Sequence, residues 1–163
     1  MYLLNIESWG PAFWHVMHAV SFMYPENPTP QDQTKYANFY ENLIDVLPCQ
    51  KCRNHFAEIL QEIPMQLRSR RELSEWVVNV HNEVNKSTGK PEQDYLDVVQ
   101  AYMPPSLRST VLDERELDEL AEREKSSGGP SSCLWISIII GSILAIILIV
   151  VLVVVCSKKG SSK

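Results

Sequence analysis

The sequence predicts an all-α protein: a four-helix bundle with a short fifth helix, followed by a C-terminal transmembrane helix. Apolar residues recur at intervals of three and four along several segments, which is typical of helices that bury one face. No segment alternates between apolar and polar residues as a strand would, and there is no internal repeat. Residues 134–155 contain no charged side chain. A helix of that length measures roughly 33 Å, which is enough to cross a bilayer core.

The first two helices are predicted from prolines that fit a first helical turn and from the apolar residues that follow them. Pro11 can occupy such a turn in the first helix, and Thr29 is expected to cap the second helix with Pro30 at its first position. The apolar faces consist of Phe13, Met17, Val20 and Tyr24 in the first helix, and of Tyr36, Phe39, Tyr40, Leu43 and Leu47 in the second. Both faces are wide enough to pack in a bundle.

Three further helices complete the predicted domain. The third is expected to begin at Pro48, and a Ser69–Glu72 capping box is expected to open the fourth, which ends at Gly89. The fifth is short and ends before Pro104. Their apolar faces consist of Cys52, Phe56, Ile59, Leu60 and Ile63, then of Leu73, Trp76, Val77, Val80, His81 and Val84, and finally of Tyr95, Val98, Val99 and Tyr102.

The composition indicates one folded domain with a membrane segment and disfavours a protein that binds nucleic acid. The chain carries 15 Lys and Arg against 20 Asp and Glu, a net charge of −5. We expect a folded domain over residues 1–105, a charged and then Ser/Gly-rich linker over 106–132, a transmembrane anchor over 133–156 and a short basic tail over 157–163. The acidic run over residues 113–124 is expected to be a solvated face.

The start of the chain bears on membrane targeting. It contains neither a basic segment nor a long apolar run, so we expect no signal peptide and insertion through a single-pass C-terminal anchor. That route leaves the folded domain facing the cytosol. Lys158, Lys159 and Lys163 follow the span, and the positive-inside rule taken alone would place the tail in the cytosol instead.

A pair of cysteines in the third helix is the sharpest chemical signal. With Pro48 at the first helical position, Cys49 falls in the first turn, where free backbone N–H groups and the helix dipole favour a thiolate. Cys52 lies about one turn further along, on the apolar face. A relay that takes electrons from another protein and passes them inward has this arrangement. By itself, one C-x-x-C is equally consistent with a redox pair, half of a zinc site and a chance pair of core cysteines.

Polar residues on apolar faces are the second signal. Trp14, His18, His81, Asn82 and Asn85 lie on or beside the apolar faces of the first and fourth helices. A single histidine in such a place is usually a hydrogen-bonded core residue, but this concentration is harder to explain by the core alone. Because buried polar groups need partners, a flat heteroaromatic ligand with several acceptors would account for them.

Three segments together resemble the Erv/ALR family, the FAD-linked sulfhydryl oxidases. Residues 9–18 resemble the W-G-x-x-x-W-x-x-x-H opening of the family, and residues 47–56 resemble its P-C-x-x-C-x-x-H-F segment. Residues 81–91 are similar to the family's H-N-x-V-N-x-x-x-G-K-P box. The three motifs occur in the family's order, and the resemblance covers residues 9 to 91.

The resemblance implies that FAD binds inside the helical bundle. It further implies that a dithiol and O₂ react to give a disulfide and hydrogen peroxide, with Cys49 as the sulfur that substrate thiols attack and Cys52 as the sulfur beside the flavin. The positions that match flavin-contacting residues are Gly10, Trp14 and His18, and those that match residues holding the adenine and phosphates are His81, Asn82, Val84, Asn85 and Lys90. Lys90 has a physical reason to be there, because the pyrophosphate is anionic.

The sequence departs from the cellular members in ways that point to a virus. Pro11 stands where a basic residue is usual and Leu47 where a tyrosine is usual, and residues 82–132 contain no cysteine for a second disulfide or a shuttle pair. This reduced form resembles members from nucleocytoplasmic large DNA viruses. We therefore expect action in virion protein assembly, on host membranes and in the virion, on a dithiol or thioredoxin-like protein substrate. Family members are commonly homodimers.

Other interpretations stay open at this point. Cys49, Cys52, His55 and His81 could form a structural zinc site in a membrane-anchored helical domain without catalysis. A membrane-anchored scaffold that only binds partners is a further possibility, although it leaves the polar residues in the bundle unexplained. Cys133 is either a shuttle cysteine or, as we favour, a juxtamembrane cysteine without a catalytic role.

Overall fold

The computed structural model describes residues 5–127, 139–140, 142–143 and 146. The described residues form helices and no strand, so the prediction of an all-α protein is confirmed for this part of the chain. The helices are α1 (Ile6–Phe22), α2 (Pro30–Glu41), α3 (Leu43–Val46), α4 (Gln50–Glu62), α5 (Arg70–Thr88), α6 (Tyr95–Tyr102), a 3₁₀ helix (Pro105–Thr110) and α7 (Glu114–Ser127).

The chain divides into two compact units, Met1–Leu120 and Ala121–Lys163. Among the residues that the structure describes, no helix combines the length and the apolar character needed to cross a membrane. The predicted anchor over 133–156 lies outside the described residues except for positions 139, 140, 142, 143 and 146. Cys133, Cys156 and the basic tail over 157–163 also lie outside them.

Helix α1 begins earlier than predicted. Asn5 is its N-cap, and the Asn5 side chain accepts a hydrogen bond from the backbone N–H of Glu7 at 3.1 Å. Pro11 therefore lies inside the helix, in its second turn, and the prediction that it belongs to the first turn is wrong. A good cap and an acidic first turn stabilise the N-terminus, and Pro11 is exposed, so the carbonyl that loses its helical partner is close to solvent.

The second predicted helix is interrupted. Thr29 caps α2 in a reciprocal capping box with Asp32, and Pro30 takes the first helical position as predicted. The helix ends at Glu41, and the chain resumes helical structure as α3. At the break, the Asn42 side-chain amide donates to the carbonyl of Asn38 at 2.6 Å, a local hydrogen bond of the kind that competes with a continuous helix.

Helix α5 begins and ends where the sequence indicates, with one difference at its start. Ser69 accepts from the N–H of Glu72 at 3.2 Å, but the Glu72 carboxylate accepts from the N–H of Arg68 at 3.2 Å, so only one half of the capping box forms. Gly89 ends the helix in the left-handed conformation at a φ of 69°. The N–H of the next residue, Lys90, then bonds to the carbonyl of Asn85 at 2.8 Å.

The main hydrophobic core lies where α1 and α5 pack against α2 and α4. Two buried aromatic side chains also tie these helices together through their polar atoms. The Tyr40 hydroxyl donates to the carbonyl of Met17 at 2.9 Å, and the Trp76 indole N–H donates to the carbonyl of Ile63 at 2.9 Å. The buried members are Met17, Tyr24, Tyr40, Leu43, Leu47, Phe56, Ile59, Leu73, Trp76, Val77 and Val80.

A second hydrophobic cluster corrects the expectation that residues from 106 onward form a linker. Val111, Leu112 and Leu120 are buried and pack with side chains of α1, α5 and α6. The predicted boundary at residue 105 failed because the apolar side chains are few and scattered through a charged sequence, so no helical stripe marks them.

One arginine explains why this charged segment packs on the bundle. The Arg71 guanidinium bonds both carboxylate oxygens of Glu116, at 2.7 and 2.9 Å, and the carbonyl of Val111 at 2.6 Å. It also lies 4.4 Å from the centre of the Tyr95 ring. These hydrogen bonds hold the pKa of Glu116 below its ordinary value. The acidic run over 113–124 is therefore not only a solvated face, since Glu116 is a paired, largely buried carboxylate.

Candidate active site

The cysteine pair lies at the N-terminus of α4 and forms a disulfide. The two sulfurs are bonded, with the Cα atoms 5.1 Å apart. Cys49 is the N-cap of the helix, so Pro48 precedes the cap and does not occupy the predicted first helical position. The Cys49 sulfur itself accepts the N–H of Cys52 at 3.2 Å. A sulfur that takes the place of an ordinary capping oxygen faces the free N–H groups directly, and a thiolate formed there is stabilised.

The two sulfurs have different surroundings. Cys52 packs against the main core cluster, next to Phe56 and Ile59 of the same helix, which are buried. Cys49 stands one residue before the helix, half-buried, at the point where the chain enters it. Cys52 is half-buried as well, so the two residues differ in that Cys52 contacts the core, while Cys49 caps the helix.

Arg53 braces this corner, and sequence reasoning missed it. The Arg53 guanidinium donates to the carbonyl of Leu47 and, at 2.5 Å, to the side-chain oxygen of Gln50. Pro48 has no N–H with which to stabilise the turn itself. Because the main partner of Arg53 is a backbone carbonyl, no pairing of residue types in the sequence could have revealed it.

The zinc interpretation is not supported. Within the residues that the structure describes, no cluster of His, Cys, Asp and Glu side chains is suited to hold a metal ion. Cys49 and Cys52 are bonded to each other, and His81 pairs with His18 instead of approaching the two sulfurs with His55.

Two histidines and a tryptophan form a buried cluster between α1 and α5. His18 Nε2 and His81 Nδ1 are 3.0 Å apart, which is a hydrogen bond in which one imidazole donates to the other. The His81 ring stacks on Trp14, with centroids 3.8 Å apart and planes 8° from parallel. Tyr102 of α6 lies over His18 at a centroid distance of 5.0 Å. Trp14, like Cys52, packs against the main core cluster.

Both imidazoles of this cluster are neutral at pH 7. Burial lowers the pKa of His18 to about 3, and the nearby His81 and His15 add to the effect. Burial also lowers the pKa of His81 to about 4, with a further contribution from the positive charge of Lys90. The cluster therefore presents uncharged hydrogen-bonding groups, while the positive charge of Lys90 stands nearby.

The cluster fits an aromatic cofactor with an anionic part. His18 is fully buried, yet its Nδ1 has no hydrogen-bond partner among the described residues, and neither has the buried Nε1 of Trp9. Buried polar atoms of this kind are rare in folded proteins and indicate a polar group still to be bound. Trp14 and His81 add flat aromatic surfaces, and Lys90 adds a cation for phosphates. These residues match the requirements of FAD.

The other predicted cofactor residues are placed less directly. Asn85 is buried and Val84 packs against the main core cluster, both on α5. The Asn82 side-chain amide donates to the backbone carbonyl of Gln93 and accepts from the backbone N–H of the same residue. Gly10 is half-buried, and a Cβ there would only touch Ile6 at 3.7 Å, so packing within the chain does not require a glycine. The structure thus brings together Trp14, His18 and His81 by direct contact.

Acidification is expected to destabilise the fold through the buried histidines. A histidine in the unfolded chain has a pKa near 6.5, whereas in the folded chain the pKa is about 3 for His18 and about 4 for His81. Because the unfolded state then binds more protons, the free energy of unfolding falls as the pH drops from about 6.5 towards 4. Urea unfolding at several pH values measures this slope.

The variant His81→Asn should reduce the dependence of the free energy of unfolding on pH. The control variant His15→Asn replaces an exposed histidine of the same bundle and should keep most of that dependence. An equal pH slope in His81→Asn and the unaltered chain would contradict the assignment.

Comparison with known proteins identifies relatives with one activity. The sequence profile of the Erv1/Alr family matches residues 11–103. The probable FAD-linked sulfhydryl oxidase R368 of Acanthamoeba polyphaga mimivirus is 39% identical over 101 residues, which cover 60% of this chain and 71% of the relative. The FAD-linked sulfhydryl oxidase ERV1 of Arabidopsis thaliana is 40% identical over 84 residues, which cover 52% of this chain and 44% of the relative.

A solved structure agrees with the sequence comparison. The FAD-binding domain of Erv1 from Saccharomyces cerevisiae superposes with a TM-score of 0.58 at 30% identity, covering 61% of this chain and 94% of that one. The region matched by the family profile, residues 11–103, holds both the cysteine pair and the histidine cluster. By sequence and by fold, the chain belongs to the Erv1/Alr family of FAD-linked sulfhydryl oxidases.

Proposed function

We propose that this chain is an FAD-dependent thiol oxidase that makes disulfides in substrate proteins and passes the electrons through its C-x-x-C to FAD and then to O₂, giving hydrogen peroxide. The observation that carries the proposal is the Cys49–Cys52 disulfide at the N-terminus of α4, in a chain that belongs to the Erv1/Alr family. The histidine cluster of Trp14, His18 and His81 supports the proposal. The Nδ1 of His18 lacks a hydrogen-bond partner among the described residues, and the flat rings of Trp14 and His81 suit an aromatic cofactor.

The chemistry at the sulfurs is thiol–disulfide exchange. A substrate thiolate attacks the sulfur of Cys49, a mixed disulfide forms, and the bond to Cys52 breaks with Cys52 leaving as a thiolate. A second substrate thiolate then attacks the substrate sulfur of the mixed disulfide, and Cys49 leaves as a thiolate. Two electrons have moved to the cysteine pair, and the substrate departs as a disulfide. The N–H groups at the start of α4 stabilise the departing Cys49 thiolate.

The chain's other residues bind and orient the cofactor. FAD, when bound, supplies the two-electron oxidation of the Cys49–Cys52 dithiol and the transfer of those electrons to O₂. His18 and His81 offer buried, neutral hydrogen-bonding groups, and the half-buried Trp14 offers an aromatic face. The proposed set is completed by Gly10, Asn82, Val84, Asn85 and Lys90.

Replacing Cys52 with serine should abolish oxidase turnover and leave FAD bound. The purified full chain should be yellow, and it should consume O₂ with dithiothreitol as substrate. In Cys52→Ser the exchange cannot form the internal disulfide, so turnover should fall by about 10³-fold or more, while the flavin absorption stays.

Cys133→Ser is the matched control and should keep turnover with this small substrate. A colourless, folded chain would contradict the proposed cofactor, and retained turnover in Cys52→Ser would contradict the role of the pair.

The biological setting is proposed from the relatives and the sequence. The mimivirus relative and the reduced set of cysteines favour a viral protein that serves virion protein assembly. Its substrate would be a dithiol or thioredoxin-like protein. The net charge of −5 favours no role for nucleic acid.

We propose that residues 133–156 form a single-pass anchor with the catalytic domain facing the cytosol, on host membranes and in the virion. The uncharged run over 134–155 supports the anchor. Expressed in cells, the full chain should sediment with membranes and resist carbonate extraction, whereas a chain ending at residue 127 should stay in the supernatant. Protease added to intact vesicles should digest the domain. A full chain that remains in the supernatant would disprove the anchor.

We also propose a homodimer that uses the exposed face of α1. Val16 of α1 and Met23, the C-cap residue directly after it, are 49% and 69% exposed, and their spacing of two helical turns puts them on one side. Val16→Asp should therefore halve the mass measured by sedimentation. Val46→Asp, at a residue that is 63% exposed outside α1, is the matched control and should leave the mass unchanged. A monomeric unaltered chain would disprove the dimer.

A further inference from the structure

We infer that Asn82 is a positioning residue: its amide holds the segment after α5, residues 89–94, so that Lys90 is fixed beside the histidine cluster. The family resemblance instead implies that Asn82 contacts FAD directly. The inference rests on the proposed FAD site, and it concerns how this chain builds the phosphate-binding part of that site.

The geometry shows that both sides of the Asn82 amide are used within the chain. Its Nδ2 donates to the carbonyl of Gln93 at 3.0 Å, and its Oδ1 accepts the N–H of the same residue at 2.8 Å. One N–H and the oxygen of the side-chain amide thus pair with the C=O and the N–H of one backbone residue. Asn82 is only 9% exposed, whereas Gln93 is exposed, so these hydrogen bonds are partly buried.

Backbone and cap hydrogen bonds hold the two ends of the segment. Gly89 ends the helix in the left-handed conformation, and the N–H of Lys90 bonds back to the carbonyl of Asn85 at 2.8 Å. At the other end, Asp94 caps α6 by accepting the N–H of Leu96 at 2.9 Å. Residues 89–94 are all exposed. The paired hydrogen bonds from Asn82 tether the stretch between these two ends to α5.

The position of Lys90 gives the tether a functional consequence. Lys90 follows directly after Gly89, the C-cap of the helix that carries His81, and its charge contributes to the lowered pKa of His81. A long, exposed lysine side chain contributes most to anion binding when its backbone is held in place. Asn82 fixes that backbone from the buried face of α5, which leaves Lys90 free to meet an anionic group such as the pyrophosphate of FAD.

A double-mutant cycle with FAD tests whether Asn82 acts through Lys90. Lys90→Met and Asn82→Ala should each weaken FAD binding to the full chain by about tenfold, the effect of losing one hydrogen bond to a charged group or one buried pair. The double variant should lose about tenfold as well, because the second change removes nothing further. Fluorescence titration with FAD measures the three affinities.

The salt dependence of the same titrations gives a second readout. FAD binding to the unaltered chain should weaken with added NaCl, because salt screens the attraction between Lys90 and the pyrophosphate. This dependence should become flatter in both Lys90→Met and Asn82→Ala. Gln93→Ala is the matched control: Asn82 bonds only to the backbone of residue 93, so affinity and salt dependence should both be kept.

Hydrogen exchange separates this inference from the proposed function. In Asn82→Ala the amide of Gln93 should exchange at least about tenfold faster than in the unaltered chain, whether or not FAD is present. Unchanged protection at Gln93 would overturn the tether. An additive cycle, with about a hundredfold loss in the double variant and an unaltered salt dependence in Asn82→Ala, would show that Asn82 contacts FAD itself and would also overturn the inference. An unaltered chain that binds no FAD would instead overturn the proposed function.

Discussion

The burial of two histidines between α1 and α5 is the constraint on which the site depends. His18 is fully buried and His81 nearly so, and they share a hydrogen bond of 3.0 Å. Removing two imidazoles from water is unfavourable unless they are neutral and partnered, which the lowered pKa values and the mutual bond achieve only in part. One nitrogen of His18 still has no partner among the described residues. The fold therefore keeps a polar requirement at its centre that a bound cofactor can satisfy.

The cysteine pair uses the same bundle in a different way. The main core fixes Phe56 and Ile59 of α4, and this fixes the start of the helix and the sulfur of Cys52 against the core. Cys49 takes the capping position, and Arg53 braces the turn before it through the carbonyl of Leu47. The start of α4 therefore holds one disulfide, with Cys49 at the cap and Cys52 in contact with the core. The cysteine pair and the histidine cluster thus share one hydrophobic core, against which both Cys52 and Trp14 pack.

Partly buried hydrogen bonds from single side chains hold the segments that carry no apolar stripe. Arg71 gathers Glu116, the carbonyl of Val111 and the ring of Tyr95, and so packs the charged segment after α6 onto the bundle. Asn82 does the same for the segment after α5. In both cases a side chain on α5 reaches a backbone group more than ten positions along the chain. Helix α5 therefore organises the domain beyond its hydrophobic face.

The sequence by itself determined the helical class, the extent of α5, the end of α6 before Pro104, the capping of α2 by Thr29 and the set of cysteine, histidine, asparagine and tryptophan residues that are candidates for the site. Each of these depends on local spacing or on a residue's own backbone preferences, which are legible without neighbours. Tertiary structure alone decided that Pro11 lies inside a helix, that α4 begins after Cys49 and not at Pro48, and that residues 106–120 pack as part of the domain. It also decided that Arg53, Asn82 and Glu116 have specific partners. These features rest on contacts between a side chain and a distant backbone group or charge, and no local pattern encodes such a contact.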